Sequence, residues 1–263
     1  SLYPNTILGQ DIAGSIDSIK KITTKDLKNN FDYFYRPENC HLVLIGNFDI
    51  EQIYRFVKET RSEFTISHKT VEKEKQPIEE NIQKLDSLQM DISISKLAIG
   101  FKNVHFSDNY MRESILVQLL FNLLFGWTSP YYKNWYAEGK IDESMSIEYE
   151  VSSRYSFVIM TMDTAEPIRM SSLIRQVMTS ADKQRLLTEE ALDLQKKALY
   201  GEFLRSLDNI QNLGSQYLAY SDDGKTYFDF GQELMSITSK DLKDFFNHYL
   251  SNLVITDFVV FPK

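Results

Sequence analysis

A fourteen-residue segment is written twice in this chain. Residues 22–35 read ITTKDLKNNFDYFY and residues 237–250 read ITSKDLKDFFNHYL. At a constant offset of 215, Ile22/Ile237, Thr23/Thr238, Lys25/Lys240, Asp26/Asp241, Leu27/Leu242, Lys28/Lys243 and Phe31/Phe246 are identical, 7 of 14 positions. The register persists beyond the segment, where residues 40–45 (CHLVLI) fall opposite residues 255–260 (ITDFVV), again an apolar strand. An offset of this size means two domain-sized copies rather than a solenoid of short units. The copy that ends at Lys263 has room for a complete domain, whereas the copy that ends near Asn47 has fewer than 50 residues before it. The sequence therefore reads as the C-terminal part of a longer two-domain protein, with most of the first copy upstream.

Composition bounds the partners. The 263 residues are 43% hydrophobic and 25% charged, ordinary for a soluble chain and enough for one large domain plus an appendage. A formal net charge of −8 argues against a nucleic-acid binder, which needs a basic face, and against an anionic membrane surface as partner. No apolar run approaches the ~20 residues of a transmembrane helix. The first residues, SLYPNTILGQDIAGS, lack a basic stretch followed by an apolar core, so no signal peptide and a cytoplasmic setting are expected. The single cysteine, Cys40, leaves no internal disulfide and no multi-cysteine metal site, and within an apolar strand it reads as an inert core residue.

Along the chain, residues 1–22 read as loop, with Pro4, Gly9 and Gly14. Thr23 and Asp26 have capping-box spacing ahead of Leu27, Phe31 and Phe34, which repeat at helical spacing until Pro37. A buried strand is expected over 40–46 and a helix from Asp49. Residues 65–84 are polar, charge-dense and carry Pro77, a linker composition. A long strand is expected over 89–101. A core helix follows, capped by Ser107 or Asp108 and running to Gly126, with apolar residues over more than half its circumference. A short aromatic-rich helix at 128–138 is stopped by Gly139. Strands near 143–151 and 154–163 form an antiparallel pair. Helices follow at 167–182, 188–205, 209–222 and 239–250, with a last strand at 253–261. Strands grouped antiparallel with helices on one side make a two-layer α+β domain.

Chemistry-bearing motifs are scarce. His41, His68, His105 and His248 are far apart, without the H-x-x-E-H or H-E-x-x-H spacing that turns two imidazoles toward one zinc ion. Phosphate-binding glycine loops and a nucleophile elbow are missing. Glu189 and Glu190 suit a helix start, where they complement the dipole. The aromatic group Trp127, Tyr131, Tyr132, Trp135 and Tyr136 could line a groove; its helical spacing favours core or a domain interface.

Three stretches carry a family resemblance. Gly14-Ser15-Ile16-Asp17-Ser18-Ile19, followed by Ile22-Thr23-Thr24-Lys25-Asp26-Leu27, resembles G-x-x-x-x-I-x-x-I-T-x-x-D-L. Phe34-Tyr35-Arg36-Pro37-Glu38-Asn39, followed by Leu42-Val43-Leu44-Ile45-Gly46-Asn47, resembles Y-x-P-x-N and its following strand. Leu124-Phe125-Gly126-Trp127-Thr128-Ser129-Pro130-Tyr131-Tyr132 resembles L-F-G-…-S-x-L-Y/F. In this order they resemble the M16 metallopeptidases, the insulinase, pitrilysin and mitochondrial-processing-peptidase family, and most closely its bacterial paired subgroup.

The resemblance implies two similar α+β domains closing on a peptide chamber. It implies that the first domain carries H-x-x-E-H and a distant glutamate as zinc ligands, upstream of Ser1. Residues 1–64 would then be the tail of the catalytic domain, 65–84 a linker, and 85–263 the second, non-catalytic domain. No catalytic or metal residue is expected on this chain, and zinc is expected in the full-length parent. Many members place an arginine and a tyrosine in R-E-x-x-G-L-A-Y to meet the substrate. Here Gly139 matches, Tyr136 stands for the arginine and, allowing a one-residue gap, Asp142 stands for the tyrosine. Tyr136 and Asp142 are thus the candidate substrate-binding positions, with a carbonyl-polarising pair in doubt. The implied partners are peptide substrate, the missing N-terminal domain and a homologous M16-like subunit. Alternatives are an inactive M16-like structural or assembly protein, and an unrelated peptide-binding module.

Overall fold

The computed structural model describes residues 1–62, 82–103, 109–152, 155–180, 186–221 and 224–263. Capping side chains set its first helices. Ser15 and Ser18 cap each other and start α1 (Ile16–Lys21), a helix inside the stretch expected to be loop. Thr23 and Asp26 form a reciprocal capping box at the head of α2 (Thr24–Phe34), and Pro37 follows its end. The Asp49 carboxylate accepts from the Gln52 N–H at 3.0 Å and opens α3 (Ile50–Ser62). Between α2 and α3 the expected buried strand does not form. Residues 40–46 pair with no strand, Leu42 and Leu44 are exposed, and Cys40 is exposed rather than core. A strand satisfies its backbone polar groups through a neighbouring strand, and the described residues place none beside it. The expected linker lies almost wholly outside the described residues.

From Leu85 onward the chain builds one sheet. Strands β1 (Leu85–Met90), β2 (Lys96–Asn103), β3 (Ser146–Val151), β4 (Ser156–Asp163) and β5 (Leu253–Pro262) are ordered β1-β5-β2-β4-β3. β1 runs parallel to β5, and the remaining pairs are antiparallel. The single long strand expected over 89–101 is therefore two strands, broken at residues 91–95. The C-terminal strand lies between them. The residues of the break continue the polar-apolar alternation, so the period of two runs through a turn it cannot reveal.

The helices are α4 (Tyr110–Phe125), α5 (Pro130–Ala137), α6 (Pro167–Thr179), α7 (Glu189–Leu207), α8 (Ile210–Ser221), α9 (Phe230–Ser236) and α10 (Ser239–Ser251). Asn109 caps α4, accepting from the Arg112 N–H at 3.1 Å; the caps expected at Ser107 or Asp108 lie outside the described residues. The short α9 was not expected from the sequence. α4 packs on β3, α6 on β2, and α5, α7, α9 and α10 surround α4. This enclosure explains why Met111, Ile115, Val117, Phe121 and Leu124, which point in different directions around α4, are all buried. Leu97, Ile99 and Phe101 of β2, opposite Met162, Met160 and Val158 of β4, supply the sheet side of the core. The result is the expected two-layer α+β domain.

The two copies of the repeat fold alike and are buried differently. Thr238 and Asp241 cap α10 with the same reciprocal box as Thr23 and Asp26. Yet Leu242 and Phe246 are 0% and 1% exposed, whereas Leu27 and Phe31 at the matching positions are 61% and 57% exposed. The apolar stripe of α2 is formed, and among the described residues no packed layer lies beneath it.

Candidate functional site

Tyr136 lies in the last turn of α5, and Asp142 follows the turn that leaves it. The turn closes through Gly139 N–H to the Tyr136 carbonyl at 3.0 Å and Lys140 N–H to the Trp135 carbonyl at 2.9 Å. Gly139 sits at φ +68° with open space where a Cβ would go, so its conformation rather than crowding calls for glycine. The Thr164 hydroxyl donates to the Lys140 carbonyl at 2.8 Å, and buried Ile141 pins the turn to the core. Tyr136 and Asp142 thus flank one anchored turn, and both are exposed.

Their chemistry differs from that of an arginine and a tyrosine. Asp142 accepts the Ser144 N–H at 2.8 Å, and hydrogen bonding from Ser144 holds its carboxyl below the usual aspartate range. At neutral pH it is an acceptor only, so it cannot donate to a carbonyl oxygen that is gaining charge. Tyr136 keeps a hydroxyl donor and stacks on Tyr132. Lys140, between them, is paired with Glu138. The arrangement can hold a peptide N–H and a carbonyl, but it lacks the paired donors that polarise a scissile bond.

The aromatic group is divided by the fold. Trp135 is buried against Phe125 and Tyr131, Tyr131 and Tyr132 are partly buried, and Trp127 is 76% exposed with Tyr136 also open. The middle of α5 is therefore core, whereas Trp127 and Tyr136 are not core, and of the two expected settings only a domain interface is left for them.

A second concave region was not visible in the sequence. On the sheet face turned away from the helices, a cavity of about 330 Å³ lies between residues 1–9 and the strands β2, β4 and β5. Its floor comes from alternate positions of three strands that are neighbours only in space: Ala98, Gly100, Phe157, Ile159, Thr256 and Phe258. Lys102 lies fully buried on the same face.

The described residues do not fit a zinc ion. They contain no group of three or more His, Cys, Asp or Glu placed to hold a metal; His41 is exposed between α2 and α3, and His248 is exposed on α10. His68 and His105 lie outside the described residues. No described helix is long and apolar enough to cross a membrane.

Comparison with known proteins decides the family. The model of the peptidase M16 inactive domain matches residues 21–199. The chain belongs to that family. The match starts just ahead of α2 and runs through α4 and α5 into α7. Over its whole length the chain is 27% identical to the Bacillus subtilis (strain 168) protein named "Uncharacterized zinc protease YmfH", of which it spans 62%. Among solved structures, an M16-like peptidase from Alicyclobacillus acidocaldarius superposes with a TM-score of 0.81 at 23% identity, covering 97% of this chain and 62% of that one. A peptidase M16 inactive domain from Pseudomonas fluorescens gives a TM-score of 0.70 at 16% identity, with 97% and 61% covered. At these identities the structures establish the fold alone.

Proposed function

We propose that this chain is the C-terminal, non-catalytic portion of an insulinase-like zinc metallopeptidase, with residues 85–263 forming one wall of its peptide chamber. In this reading residues 1–64 complete a first, catalytic domain of the same fold, and residues 65–84 connect the two. The zinc ligands and the general base belong to that first domain, so no bond-breaking step is assigned to residues of this chain. Their part is to bind and orient peptide. Tyr136 offers a hydroxyl donor and Asp142 a carboxylate acceptor at the turn after α5. The observation that carries the reading is the exposed apolar stripe of α2. Its twin α10 buries the same positions under α4, and a helix with this stripe is ordinarily covered.

The test compares this chain with the longer polypeptide that extends it at the N-terminus. Metal content and peptide cleavage are measured with and without chelator. The reading expects zinc and chelator-sensitive cleavage in the longer protein only. The Tyr136→Phe variant of the longer protein is expected to raise KM with kcat unchanged, and a variant indistinguishable from wild type removes Tyr136 from the site. Zinc in neither protein favours the second reading, an inactive M16-like structural or assembly protein. The acceptor-only Asp142 is the observation that speaks for it.

A further inference from the structure

We propose that the sheet face opposite the helices is a docking trough for an extended peptide with an aliphatic residue followed by an aromatic one. Residues 1–3 of the chain occupy it as a tethered ligand. Two groups hold that segment by its backbone. The Gln83 N–H donates to the Ser1 carbonyl at 3.0 Å, and Gln83 is itself fixed where its own carbonyl accepts from the Thr256 hydroxyl. The Lys102 ammonium donates to the Leu2 carbonyl at 3.1 Å. Backbone anchors of this kind admit many sequences, so side-chain fit must supply the preference.

Two subsites supply it. Gly100 lies mid-strand, where glycine ordinarily weakens a strand, and a Cβ there would come 2.9 Å from the Leu2 side chain. The missing side chain is therefore the seat of Leu2. Next along the segment, the Tyr3 ring is buried with its centroid 4.0 Å from the Lys102 ammonium and 5.8 Å from the Phe157 ring, edge to face. A cation on one side and an aromatic partner on the other select a flat π-system over an aliphatic side chain. Ile159 and Phe258 also line the cavity, whose remaining volume has room for further apolar side chains.

This deepens the chamber-wall reading and rests on it for the source of the ligand, a peptide. The test uses the full 263-residue chain and a fluorescein-labelled, end-blocked octapeptide of sequence SLYPNTIL. Binding is read by anisotropy. Replacing the tethered ligand (Leu2→Ala with Tyr3→Ala) is expected to tighten probe binding at least tenfold over wild type. Adding Gly100→Leu to that variant is expected to reverse the gain, and so is adding Phe157→Leu, a half-buried position suited to keeping the fold. A probe with serine in place of its leucine and tyrosine is expected not to compete. Equal binding to every form, or none to any, would overturn the trough. Loss of probe binding alongside chelator-sensitive cleavage by the longer protein would sink the trough and leave the chamber reading standing. Probe binding without such cleavage would do the reverse.

Discussion

Asp26 and Asp241 hold the same place in two copies of one capping box, and their carboxylates behave alike. Each accepts the hydroxyl of its N-cap threonine at 2.6 Å and the threonine N–H within 2.9 Å. Hydrogen bonding from the threonine holds each carboxyl below the usual aspartate range, and at Asp241 the Arg112 guanidinium adds to it. A carboxyl depressed in the folded state contributes stability above the unfolded-state value, and that contribution is lost as pH falls through the folded value. Only at α10 is the box joined to the core, because Arg112 ties it to α4. Asp241→Asn is therefore expected to lower Tm at neutral pH by a few degrees and to flatten the acid limb of the stability curve. Asp26→Asn should leave the main transition unmoved. Thermal melts between pH 7 and pH 2 decide this, and equal effects of the two substitutions would refute it. Both boxes were legible in the sequence because a cap is built from four consecutive residues. What the caps are attached to was not.

At the scale of elements, α2 and α10 separate what a sequence specifies locally from what packing adds. Both helices form with the same cap and the same apolar stripe. Leu242→Ala removes a side chain enclosed beneath α4 and should cost about 2–5 kcal/mol. Leu27→Ala removes one already facing solvent and should change stability by about 0.5 kcal/mol or less. Chemical denaturation of the two variants measures the contrast, and similar losses would mean that α2 has a covering layer after all. The longer helices were read well because a period near 3.6 and a capping residue are intrinsic to the segment, whereas the short α1 and α9 were not read. Strands were read less well. Residues 40–46 have the composition of a buried strand and, among the described residues, no strand partner. Residues 89–101 have the alternation of one strand and form parts of two, because β5 returns from the far end of the chain to lie between them.

For the whole molecule, the offset of 215 reads as two copies of one fold, and the described residues show one packed α+β domain, from Leu85 onward. The site was far less legible. Tyr136 and Asp142 were found only through a resemblance, and their chemistry departs from it. The trough joins residues 1–3, 83, 98–102, 157–159 and 256–258, which no spacing in the sequence connects. The central claim is that the second repeat segment belongs to a packed domain, while the helix of the first has no packing layer among the described residues. Native-state amide hydrogen exchange on this chain tests it most directly. The account predicts that the amides of 239–251 exchange near the rate of global unfolding, and that those of 24–34 exchange orders of magnitude faster despite the shared cap and sequence. Equal protection of the two helices would contradict it.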